Sequence, residues 1–129
     1  MRAHVSLPGV ADRWAPVSFL VDTGSAATCV HPGDSLLGLH IDAARLVDTV
    51  RWPRHEDRGG VGGSALYYVV RALYNFQCDD GSEIELDQEL RIAAPTQTNL
   101  ELPSILGWDI LQHFTFTTDW RTRAVRLES

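Results

Sequence analysis

The pattern of apolar and polar positions along the chain is mostly that of β-strands. Residues 2 to 7 read as a short strand ending at the turn signal Leu7-Pro8-Gly9. Trp14 to Val21 is apolar and partly β-branched or aromatic, and reads as a second strand. It runs directly into Asp22-Thr23-Gly24-Ser25, then the small residues Ala26, Ala27 and Thr28, then Cys29-Val30. Residues 33 to 47 are mixed, with Asp34 and Asp42 as candidate N-caps of short helical turns. Arg51 to Ser64 is polar and rich in glycine. Ala65 to Phe76 reads as a long strand, joined by the hairpin signal Asp79-Asp80-Gly81-Ser82 to Glu83 to Ala93. In that partner, Ile84, Leu86, Leu90 and Ile92 share one face by even spacing. Ala94 to Leu102 reads as a loop. Ile105 and Leu106 lead into Gly107, and Trp108 to Phe114 is a short helix candidate with Ile110, Leu111 and Phe114 on one side. Phe114 to Trp120 and Ala124 to Leu127 suggest a closing hairpin that turns at Arg121-Thr122. No internal repeat or linker interrupts the pattern. The expectation is an all-β single domain over residues 1 to 129 with one short C-terminal helix.

Composition narrows the function classes. The chain is 44% hydrophobic and 22% charged, ordinary for a globular domain and unlike a disordered one. A net charge of -6 argues against nucleic acid as a partner, because such binding rests on neutralising phosphates. Arg51, Arg54 and Arg58 cluster, but His55, Glu56 and Asp57 interrupt them, so the segment reads as a solvated loop. The cysteines, Cys29 and Cys78, read as free buried thiols, with a disulfide between them as the alternative. Five scattered histidines show no ligand spacing, so neither a metal nor another cofactor is expected. The start of the chain lacks a signal-peptide pattern, and no apolar run is long enough to span a membrane. A cytoplasmic protein, or a soluble domain of a longer one, is the expectation.

The feature that carries chemistry is Phe19-Leu20-Val21-Asp22-Thr23-Gly24-Ser25. An apolar strand delivers an aspartate onto a loop of small residues. Burying a charge is costly unless it is paired or hydrogen-bonded. Thr, Gly and Ser can supply such bonds, and Gly24 permits a turn or a close backbone approach. An aspartate that merely caps a turn is the bland alternative. Order along the chain weighs against it: the Asp22 loop is followed by Gly60-Val61-Gly62-Gly63 and then by Ser104-Ile105-Leu106-Gly107-Trp108-Asp109-Ile110-Leu111.

With these motifs in this order, the chain resembles the retropepsin-like aspartic peptidases, in particular their bacterial and cellular branch. Leu20-Val21-Asp22-Thr23-Gly24-Ser25 is similar to the family's catalytic motif, and Ile105-Leu106-Gly107 to its later apolar-apolar-glycine motif. The likeness runs from Val17 to Glu128 and implies a single-domain β-barrel of the acid-protease type. It implies Asp22 as the catalytic aspartate, in an active-site loop with Thr23, Gly24 and Ser25. Thr23 would brace two such loops across a dimer axis, and Gly24 would let substrate backbone approach. Gly60, Val61, Gly62 and Gly63 would form a flap over bound peptide, and Ile105, Leu106 and Gly107 would support the loop from behind. Ser25-Ala26-Ala27 differs from the viral pattern, which places an acidic residue there.

The mechanism implied by the resemblance needs two carboxylates sharing one proton. A second Asp-Thr/Ser-Gly does not occur in the chain, so a homodimer would supply the pair. A peptide or protein is then the expected substrate. Ser25 lacks an evident His-Asp partner, and Cys29 with His31 is a poor basis for a cysteine peptidase. Trp14, Trp52, Trp108 and Trp120 read as core or dimer contacts, and Tyr67, Tyr68 and Tyr74 as packing. Two other classes stay open: a weakly active or inactive dimeric peptide-binding or scaffold domain of the same fold, and a regulatory or structural domain of a larger protein.

Overall fold

β1 (Arg2–Leu7) and β2 (Ala11–Val21) pair antiparallel. The turn between them closes with Val10 N–H donating to Leu7 O, and Gly9 takes φ +78°, a conformation that suits glycine. In the computed structural model, residues 1–58, 65–78, 80–119 and 124–128 are described, 115–119 and 124–128 as backbone only. The Gly60-Val61-Gly62-Gly63 motif, Asp79, Trp120 and the Arg121-Thr122 turn lie outside the described residues.

β3 (Cys29–Val30), β4 (His55–Arg58), β5 (Ala65–Gln77), β6 (Glu83–Ala93) and β7 (Ser104–Leu106) complete the main sheet. Hydrogen-bonded neighbours follow the order β1-β2-β7-β3-β6-β5, and β5 returns to β1, so six strands close into a barrel. β5 makes closure possible because it is long. Its register runs along β6 from Tyr67↔Ala93 to Gln77↔Glu83. Its other edge is shared, Ala65–Tyr68 with β4 and Leu73–Asn75 with β1. The mostly β expectation holds, with 47% strand and 17% helix.

The described residues hold three short helices, α1 (Pro32–Leu37), α2 (Ala43–Val47) and α3 (Trp108–Leu111), with a 3-10 turn at Thr49–Arg51. α1 and α2 form where residues 33 to 47 read as short helical turns, so the C-terminal helix does not stand alone. The expected C-terminal helix is α3, and it stops at Leu111 rather than at Phe114. Asp42 caps α2, its side chain accepting from Ala44 N–H at 3.0 Å, whereas α1 starts from His31 without a side-chain cap. His55–Arg58, read from sequence as solvated loop, forms β4. Nothing apolar marks it, and its strand conformation comes from pairing with the free edge of β5.

Alternation places the core. Val5 and Leu7 of β1, Val17 and Phe19 of β2, Tyr68, Ala72, Tyr74 and Phe76 of β5, and Leu90 and Ile92 of β6 are buried. Burying each large side chain contributes roughly 1.5–3 kcal/mol. Trp52 stacks on Tyr68, with centroids 4.6 Å apart and planes 6° from parallel. Its indole N–H donates to Arg45 O, and the Tyr68 hydroxyl donates to Leu46 O, so α2 is fastened to β5. Trp14 and Trp108 are exposed, which removes them from the expected core. The closing hairpin forms as β8 (Thr115–Asp119) paired antiparallel with β9 (Ala124–Glu128). Both cysteines are free, Cys29 buried and Cys78 half-buried. Among the described residues, no helix is long and apolar enough to cross a membrane.

Candidate active site

β2 carries Asp22 to the end of its ladder with β7. These strands are parallel, pairing Phe19 with Ser104, Leu20 with Ile105 and Val21 with Leu106. Asp22 N–H extends the ladder by donating to Leu106 O at 3.1 Å. The chain then turns, with Ser25 N–H donating to Asp22 O at 3.1 Å. Gly24 N–H donates to the Asp22 carboxylate at Oδ1, 2.9 Å away. A Cβ at Gly24 would lie 3.2 Å from the same oxygen, so glycine keeps that side of the carboxylate uncrowded. Asp22 and Ser25 are half-buried, and Thr23 and Gly24 are exposed. Among the described residues, no cation pairs with Asp22.

β7 lies between the two strands that flank this loop, parallel to β2 and antiparallel to β3. Ile105 pairs with Leu20 on one side and with Cys29 on the other, and Leu106 is fully buried. At Gly107 the loop backbone presses directly on the support. A Cβ there would sit 2.7 Å from Ala27 C and O, closer than packed atoms approach. The loop residues and Ile105-Leu106-Gly107 are therefore brought together in space.

α3 supplies donors to the loop. N–H groups in the first turn of a helix have no partner within the helix. Here Trp108 N–H donates to Ser25 O at 2.9 Å, Asp109 N–H to Ala26 O at 3.1 Å, and the Trp108 indole N–H to Thr23 O at 2.6 Å. The Asp109 carboxylate takes Thr28 N–H at 3.0 Å and the Thr28 hydroxyl at 2.7 Å. The same hydroxyl accepts from Gly107 N–H at 2.9 Å. The loop is thus held at Asp22, along Thr23 to Ala26, and at Thr28.

Sequence reasoning missed Thr28, Trp108 and Asp109 as members of this site. The available signal was an aspartate in the first turn of a helix that starts at glycine, where an acidic side chain is favoured but its target is invisible. The spacing of 81 residues between Thr28 and Asp109 is bridged only by the fold.

Cys29 is poorly suited to act as a nucleophile, being buried. Burial pushes its thiol up to about 11, so it stays protonated near neutrality. His31 is engaged elsewhere, with Nδ1 2.6 Å from Pro103 O and Nε2 3.4 Å from the Tyr67 hydroxyl. Among the described residues, no three His, Cys, Asp or Glu side chains group as metal ligands. No protein-family model matches the chain, and no curated protein is significantly similar to it.

Proposed function

We propose that the chain is a retropepsin-like aspartic endopeptidase, with Asp22 from each of two identical chains forming the catalytic dyad. The observation that carries this reading is the placement of Asp22. A half-buried carboxylate, with no paired cation among the described residues, sits on a loop held by hydrogen bonds to β7 and α3. A carboxylate that only capped a turn would not need that support. Two such groups at close range share one proton, because both cannot ionise cheaply. One then takes a proton from the attacking water, and the other donates to the scissile carbonyl.

Among the described residues, the carboxylate that meets the loop, Asp109, is engaged by Thr28 and lies near Arg91, so it is not free to partner Asp22 within one chain. This supports a two-chain site. Leu20, two residues before Asp22 on β2, is 55% exposed beside the half-buried Ile105. Such surfaces suit apolar side chains of an extended peptide. The proposed flap, Gly60 to Gly63, stays a reading of the sequence.

Cleavage of a peptide library at mildly acidic pH, comparing the native chain with Asp22→Asn, tests the reading. The native chain is expected to cut, and the variant to lose activity without losing its fold. If neither cuts when a dimer is verified, the chain is instead a peptide-binding module of this fold.

A further inference from the structure

The best-shielded ion pairs among the described residues converge on Arg91 of β6. Its Nε lies 2.9 Å from the Glu56 carboxylate of β4, and its Nη1 lies 3.8 Å from Asp109 of α3. The Arg91 side chain is 17% exposed, against 64% for Arg54 in its pair with Glu89 and 63% for Arg71 in its pair with Asp87. Exposed pairs such as those contribute little, because water and salt screen them. The backbone of Arg91 reaches the same place, since its N–H donates to Thr28 O at 3.2 Å. Arg91 therefore meets Thr28 twice, through its main chain and through Asp109. Arg58 donates to the same oxygen of Glu56, Oε1, as Arg91 does, and these two arginines hold its carboxyl below the usual range.

We propose that Arg91, held by Glu56, is a positioning residue that fixes the catalytic loop through Asp109 and Thr28. This rests on the peptidase reading for its catalytic consequence, but not for the contact itself. Without Arg91, the Asp109 carboxylate would keep, among the described residues, only the donors of Thr28 and would turn more readily to water. The Thr28 end of the loop would then loosen, and small displacements of a reacting group lower turnover. A planar guanidinium engages carboxylates on two sides at once, whereas lysine offers a point charge on a flexible stem.

The test compares Arg91→Met, Arg91→Lys and the control Arg71→Met with the native chain. Amide hydrogen exchange is read at Thr28 and along the β5–β6 ladder, and kcat and KM are measured on a cleaved library peptide. In Arg91→Met, Thr28 exchange is expected to accelerate about fivefold, the scale of losing one partly shielded ion pair, with the ladder unchanged. A similar fall in kcat at unchanged KM, partial recovery in Arg91→Lys and native behaviour in Arg71→Met complete the expected result. Unchanged Thr28 exchange overturns the proposal, as does an equal acceleration along the ladder or an unaltered kcat. A native chain that cleaves nothing removes the peptidase reading alone, because Thr28 exchange still decides whether Arg91 holds the loop.

Discussion

Thr28 shows how one buried hydroxyl can set a site. It is fully buried, donates to Asp109 and accepts from Gly107 N–H. Thr28→Val keeps the shape but leaves Gly107 N–H without its acceptor. A loss of about 1–3 kcal/mol is expected, read as a lower urea midpoint at unchanged slope, while Thr28→Ser stays near the native value. Asp22, Thr23 and Gly24 were legible from sequence because an aspartate at the end of an apolar strand is chemically conspicuous. Thr28 was not, because a threonine between alanine and cysteine carries no such conflict. Its importance comes from what β7 and α3 bring to it.

At the scale of elements, long alternating segments were readable and short dependent ones were not. β5 and β6 carry their own apolar faces, and both formed close to the expected bounds. β4 is charged on both faces and exists because β5 has an edge to fill. α2 is likewise held by contacts distant in sequence, through the stack of Trp52 on Tyr68 and their hydrogen bonds to its backbone carbonyls. Trp52→Ala is expected to cost about 3–5 kcal/mol in chemical denaturation, since it opens a cavity and frees Arg45 O together.

For the whole molecule, ionisation sets how stability responds to pH, and the proposed two-chain site makes a prediction of its own. Glu56 is held below its ordinary value of 4.5, first by Arg58 and then by Arg91. A carboxylate depressed in the folded state adds stability that is complete above its unfolded value and is lost as pH falls through the folded one. Stability should therefore be insensitive to this group from neutral pH down to about 5, and decline below about 4.5. Glu56→Gln should be less stable at pH 6 by up to about 1 kcal/mol, a gap that narrows as pH falls below about 4.5. Thermal melts across that range check the sign. If two chains build the site, specific activity should rise with concentration while monomer predominates. Specific activity that stays constant on dilution through a measured monomer–dimer transition would remove the two-chain site.

Sequence alone determined the mostly β architecture, the long hairpin and the unusual aspartate, because each rests on local periodicity or on a chemical conflict within a few residues. Tertiary structure decided closure of the barrel through the divided edge of β5. It also decided the insertion of β7 between β2 and β3, and the convergence of Arg91, Asp109 and Thr28. Those features depend on groups tens of residues apart meeting within a few ångströms, and hydrophobic patterning does not encode which polar groups meet.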